Sequence, residues 1–131
     1  MNCPDCASPA IAFEVPVELR EYVPGKEKAV ALCTHCVTLH PAPEAEATAD
    51  PDFMGITDAF PRGEGAIAMA LAVGLLDSFA LYRQEIETLV ERVERAGTDP
   101  LLVLDRLAAD SGVEPATDLR RRRRHLEQTL G

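Results

Sequence analysis

Four cysteines carry the one strong chemical signal in this sequence of 131 residues. They form two pairs, Cys3-Pro4-Asp5-Cys6 and Cys33-Thr34-His35-Cys36, with 26 residues between the pairs and no other cysteine in the chain. Thiolates are soft donors. Two separated C-x-x-C pairs are the common frame of a tetrahedral zinc site, whereas hard cations take oxygen ligands. Four thiolates fill a tetrahedron, so the expectation is a closed, structural Zn2+ site. Its ligands are Cys3, Cys6, Cys33 and Cys36, and no position is left open for a substrate. A redox dithiol fits less well, because thioredoxin-type sites use a single pair at a strand–helix junction. His35 lies inside the second pair and His40 just beyond it. With the tetrahedron already complete, both are expected to face solvent.

Something must bring the two pairs together. Ile11, Phe13 and Val15 alternate with other residues, which is the period of a strand. A second strand is expected over 18–23, a turn at Pro24-Gly25, and a return strand over 29–32 leading into the second pair. Two or three short antiparallel strands joining two metal knuckles make a zinc ribbon over residues 1–40. A unit this small buries too little surface to fold alone, so metal binding would supply much of its stability.

The pairs resemble those of the small CPxCG-type zinc-ribbon proteins abundant in haloarchaea, a family without a characterised role. The resemblance covers the first third of the chain and implies that Cys3, Cys6, Cys33 and Cys36 are ligands. Two departures stand out. Ala7 and Val37 occupy the positions after each pair where such knuckles often carry glycine, which weakens the expectation of tight knuckles but not the ligand assignment. The loop between the pairs is also longer than is usual.

Residues 41–62 read as a linker and docking loop. Its first part is acidic and proline-punctuated, hence extended and mobile. Phe53, Met54, Ile56 and Phe60 are then placed to dock on the next element. Residues 63–131 read as a helical region of three helices. The first, over 64–96, is long: apolar nearly all round at its start, and with Leu75, Phe79, Tyr82, Ile86, Leu89 and Val93 spaced as a heptad seam afterwards. Gly97 ends it. The seam suggests a homodimer through this helix. Asp77, the polar oddity in the apolar half, lacks a second acid with which to do general acid–base chemistry. A helix over 99–110 has Thr98 or Asp99 as cap and Pro100 at its first position, with an apolar stripe of Leu101, Leu104, Leu107 and Ala108. The last helix aligns Leu119, Leu126 and Leu130. The fold class is therefore α+β.

Charge narrows the partners. The net charge is −9, and lysine is nearly absent while arginine is frequent. Such an acidic, alanine-rich composition is typical of halophilic proteins and argues against a general nucleic-acid binder. The exception is Arg120, Arg121, Arg122, Arg123 and Arg124 in the last helix. They offer a phosphate-binding patch on one reading and partners for the acidic helices on the other. The start of the chain has neither a basic region nor an apolar stretch of the secretory type, and the longest apolar run is too short to span a bilayer. A cytoplasmic chain with reduced thiols is expected. No Ser/His/Asp set, Gly-rich phosphate loop or H-E-x-x-H is present. The favoured function is a non-enzymatic zinc-ribbon adaptor or regulator acting through protein contacts. The alternative is a nucleic-acid-associated factor that uses the arginine run.

Overall fold

Three antiparallel strands form a sheet in the order β1-β2-β3, with β1 at Ala10–Glu14, β2 at Ala29–Cys33 and β3 at Leu39–Pro41. The register pairs Phe13 with Val30 and Ile11 with Leu32, then Leu32 with Leu39. The fold is seen in a computed structural model that describes residues 1–130; Gly131, the last residue of the expected helical region, lies outside the described residues. Alternation in β2 sends Val30 and Leu32 to the main core, while Ala31 meets Ala10 and Ala12 in a small alanine cluster on the other face. Both faces of β2 are covered, and all five of its residues are buried.

The expected strand over 18–23 is absent. Val17–Tyr22 forms a 3-10 helix, and Pro24–Lys26 a second short one in which Gly25 takes φ +73°. A strand needs a partner, and the pairing of β1 with the return strand stops at the bond from Val15 N–H to the Lys28 carbonyl. Beyond that point the chain coils so that Leu19 and Val23, four residues apart, turn inward, while Val17 is 73% exposed.

The segment expected to be an extended, mobile linker is tied to the sheet. Thr48 runs parallel to β1, accepting from Glu14 N–H at 2.9 Å and donating to the Ala12 carbonyl at 3.2 Å. These bonds cover the outer edge of β1, which would otherwise present open backbone groups. Turns follow at Asp52 and Thr57, whose side chains accept from the amides of Met54 and Ala59. They aim Phe53, Ile56 and Phe60 into the core, as the docking reading expected, with Met54 left half-buried.

The long helix is two helices. α1 spans Glu64–Leu75 and α2 spans Arg83–Arg95. Between them Leu76–Ser78 tightens to a 3-10 turn, and the Ser78 carbonyl accepts from both Leu81 and Tyr82. No glycine or proline marks this break. The reason lies in burial: α1 is apolar on every side, and a single straight rod could not cover it. Folding back lays Ile86, Leu89, Val90 and Val93 of α2 along α1, and all four are fully buried. The heptad spacing thus crosses a turn. Its Leu75, Phe79, Ile86, Leu89 and Val93 are covered by the chain itself, and Asp77 points to solvent at the bend.

On its other side α1 meets the sheet at very close range. A Cβ at Gly74 would lie 2.6 Å from the Leu39 Cβ, so only glycine lets the helix approach β3 this closely. Alanine is the better helix former by about 1 kcal/mol, but overpacking costs roughly 1–3 kcal/mol. Gly74→Ala is therefore expected to lower the stability to urea unfolding by up to about 2 kcal/mol. A gain in stability would show that β3 yields freely.

α3 spans Pro100–Ala109 and α4 spans Leu119–Leu130. Asp99 caps α3, accepting from Leu101 N–H at 2.9 Å and Leu102 N–H at 3.4 Å. Val103, Leu104 and Leu107 are its buried side chains, with Leu101 and Ala108 at the margin. In α4, Leu119 and Leu126 are buried, whereas Leu130 ends up 37% exposed at the helix end. Among the described residues no helix is long and apolar enough to cross a membrane.

Candidate metal centre

The two cysteine pairs are brought together by backbone pairing. In the first knuckle Cys3 N–H donates to the Ser8 carbonyl at 2.8 Å, and Ala7 N–H to the Cys3 carbonyl at 2.9 Å. The second knuckle turns β2 into β3, and Cys33 N–H donates to the Thr38 carbonyl at 3.0 Å. Thr34 fastens one to the other, because its amide and its hydroxyl both donate to the Pro9 carbonyl, at 3.0 and 2.7 Å.

The result gathers the four sulfurs of Cys3, Cys6, Cys33 and Cys36 within 4.8 Å of one another. Three of the separations are 3.4 Å for Cys6–Cys33, 3.7 Å for Cys3–Cys36 and 3.8 Å for Cys6–Cys36. A tetrahedron with metal–sulfur bonds of about 2.3 Å has edges of about 3.8 Å, so the set fits one thiolate-bound ion. Cys3, Cys33 and Cys36 are buried and Cys6 is exposed, which puts one edge of the site at the surface.

The knuckles are tight despite the missing glycines. Ala7 has φ +63° and Val37 has φ +51°, the left-handed turn that glycine would adopt without strain. The reason appears at the sulfurs. The turn after Cys33 aims the amides of His35 and Cys36 at its Sγ, each at 3.4 Å. Val37 is buried, so its side chain contributes packing that offsets the strain, whereas Ala7 is exposed. Ala7→Gly is accordingly expected to raise the unfolding free energy of the metal-loaded chain by about 0.5–1 kcal/mol, read by urea titration. No gain would mean the first knuckle is unstrained.

The thiols divide by environment. Burial works to raise Cys3, but the amides of Cys6 and Asp5 and the Thr38 hydroxyl outweigh it and hold the thiol below its usual range. Hydrogen bonds from the Ser8 hydroxyl and amide bring Cys6 down to about 6. Burial pushes Cys33 up to about 12 and raises Cys36 against the donors of Thr38. Two thiols favour the thiolate and two resist it, the arrangement in which a central cation removes the cost of burying the second pair as anions.

A polar shell that the cysteine spacing did not reveal lies beside the sulfurs. The Thr38 hydroxyl sits 3.1 Å from the Cys36 sulfur and 2.8 Å from His40 Nε2. His40 Nε2 in turn lies 3.5 Å from an Asp5 carboxylate oxygen and 3.7 Å from the Cys3 sulfur. His40, expected in solvent, is only 18% exposed at its side chain. Its two-residue spacing from Thr38, just before β3, was the signal that both face the sulfurs. Such outer contacts orient ligands and temper their charge. His35 keeps about a third of its side chain (35%) exposed but is not without partners. Its Nδ1 is 2.9 Å from the Gly112 carbonyl and its Nε2 is 3.4 Å from Glu114, and the first of these contacts is the main cause that raises its pKa.

The chain matches the family of unknown function DUF6276 over residues 2–130, and it belongs to that family. The match takes in the helices as well as the knuckles, well beyond the first third in which the ribbon resemblance resides. No curated protein and no solved structure matches the chain.

Proposed function

As a member of a family whose function is open, we propose, this chain is a non-enzymatic zinc-ribbon module. Cys3, Cys6, Cys33 and Cys36 hold one Zn2+ as a structural staple, and the chain acts as an adaptor or regulator through protein contacts. The observation that carries the reading is the cluster of four sulfurs on two hydrogen-bonded knuckles. Zinc is the chosen metal because it is redox-inert and takes four thiolates in structural sites of this shape. Four thiolates leave no coordination position for water or substrate, which supports a structural role over a catalytic one. A reducing, cytoplasmic setting belongs to the same reading, since the thiols must stay unpaired to bind. With a net charge of −9, a partner with a basic face is favoured. The test is elemental analysis of the purified chain, expected to give one zinc per chain, with unfolding on prolonged chelation. Folded, metal-free protein would end the proposal.

One observation keeps the nucleic-acid reading alive. Arg121 and Arg124 are exposed and have no acidic partner among the described residues. If that reading holds, salt-sensitive binding to a short duplex or single strand disappears when all five arginines become glutamine. Absence of binding by the unmodified chain at moderate salt removes it.

A further inference from the structure

The arginine run divides between two uses. Arg123 ion-pairs with Asp105 of α3 at 2.6 Å and with Glu127 one turn further along α4. That part of the run pairs internally. Arg122 does something else. Its Nε donates to the Thr117 hydroxyl at 3.4 Å, and its guanidinium has no acidic partner among the described residues.

Arg122 lines a cavity of about 390 Å³ between the start of α2 and the end of α4, together with Phe79, Arg83, His125, Gln128 and Thr129. On α4, residues 122, 125 and 129 follow the spacing of a single helix face. Arg83 comes from the other wall and donates to the Thr129 hydroxyl at 3.2 Å. Arg83 Nε also ion-pairs with Glu87 one turn along α2 at 3.7 Å, and Glu87 does not line the cavity. Two arginines from two helices therefore line one cavity that no carboxylate among the described residues lines, in a chain with 22 acidic and 13 basic residues. Solvation alone would scatter like charges; convergence on a shared concavity is the arrangement that an oxyanion stabilises.

Two further features narrow the ligand. The cavity falls within the roughly 300–1,000 Å³ of small-molecule sites, with more room than a lone phosphate fills. Its remaining wall holds Ala80 and the ring of His125, with Phe79, only 7% exposed, behind it. The rings of Phe79 and His125 have centroids 5.6 Å apart and an interplanar angle of 39°. Gln128 and Thr129 add neutral hydrogen-bonding groups at the rim. We propose that the cavity between α2 and α4 binds a small phosphate ester bearing a planar ring, of the mononucleotide class. Arg83 and Arg122 hold the phosphate, and the Phe79–His125 wall faces the ring. This site is separate from the sulfur cluster and does not depend on which metal that cluster holds.

The experiment is calorimetric titration of adenosine monophosphate into the full, metal-loaded chain, with inorganic phosphate as the second probe. Saturable binding is expected at one site, with phosphate competing more weakly. Arg122→Gln and Arg83→Gln should each weaken binding by about tenfold, the loss of one charge-assisted contact. Arg124→Gln, exposed and away from the cavity, should leave it unchanged. Circular dichroism checks each variant, and if Arg122→Gln fails to fold, Arg83→Gln at an exposed helix start carries the test. No saturable binding at millimolar concentration overturns the proposal, as does an equal loss in Arg124→Gln. If the nucleotide binds no more tightly than phosphate, or if His125→Ala leaves its affinity unchanged, the ring half of the assignment fails. Binding of oligonucleotides alone, falling with every arginine removed, would show a polyanion track and overturn the pocket.

Discussion

Cys33→Ser is expected to empty the metal site and also to loosen the connection between two helices that contribute no ligand. Cys33 is fully buried, ends β2, and receives two amides at its sulfur. A serine oxygen is a harder and shorter donor, so the knuckle loses both its ligand and the acceptor around which it is folded. The second knuckle also serves the C-terminal part of the chain. The carbonyls of His35 and Cys36 accept from Glu114 N–H at 2.8 Å and Ala116 N–H at 3.1 Å, and His35 Nδ1 meets the Gly112 carbonyl at 2.9 Å. The connection between α3 and α4 therefore hangs on the metal knuckle. Structural zinc contributes on the order of 10 kcal/mol to the folding of zinc-finger peptides, far more than the roughly 1 kcal/mol net of a backbone hydrogen bond. Without metal the knuckle should open locally and release its hydrogen-bond partners. The expected result is loss of metal to below a tenth of stoichiometric. Exchange at the amides of Glu114 and Ala116 should speed up by at least tenfold, with a much smaller change at Leu89 and Val90 in the middle of α2. His35→Ala is the control: it should keep the metal and raise exchange only modestly. Metal retained by Cys33→Ser, or metal lost with protection at 114 and 116 intact, would refute the coupling.

What the sequence disclosed and what it hid separate by range. The cysteine pairs were legible because the signal is local: two residue types at fixed spacing, which the backbone need only fold into two similar turns. The alternation of Ile11, Phe13 and Val15 gave β1, and the Asp99–Pro100 and Gly97 signals placed the ends of α3 and α2, with Gly97 at φ +97°. Most of the failures involve distant partners. The bend at 76–82 carries no helix breaker, because it is set by the need to cover α1 on two sides. The span 18–23 was expected as a strand, yet coils because nothing lies beside it to pair with. Ala7 and Val37 adopt a turn that their own preferences disfavour, because the sulfurs need the amides that this turn supplies. The contact of His35 with the Gly112 carbonyl has no local signal, because the two are 77 residues apart in sequence. Apart from the knuckle turns, these reversals favour a non-local contact over a local pattern, as tertiary structure does wherever propensity is a weak prior.

Phe53→Ala is expected to destabilise the whole chain, the strands and the helices together, by about 4 kcal/mol. Phe53 belongs to the segment that composition marked as linker and docking loop, and it is 1% exposed. Its ring meets Phe13 of β1 edge-on at 5.3 Å and Phe60 at 5.0 Å. The same buried cluster holds Val30 and Leu32 of β2, Leu71 of α1, Leu89 of α2 and Leu104 of α3. Truncation to alanine removes the aromatic pairs and leaves a cavity that the surrounding core would have to collapse to fill. Set against the 5–15 kcal/mol that is typical of native domains, a loss of about 4 kcal/mol is a large share of the total. The distinguishing measurement follows two signals on one sample during thermal unfolding: far-ultraviolet circular dichroism for the helices and metal release for the knuckles. If one core serves both, Phe53→Ala lowers both midpoints in parallel and the transitions stay coincident. A ribbon that folds apart from the helices would show metal release moving alone while the helical transition holds its place, and the shared core would then be refuted. Coincident shifts would mean that the staple at Cys3, Cys6, Cys33 and Cys36 stabilises the helices through packing as well as through the bonds at His35 and Cys36.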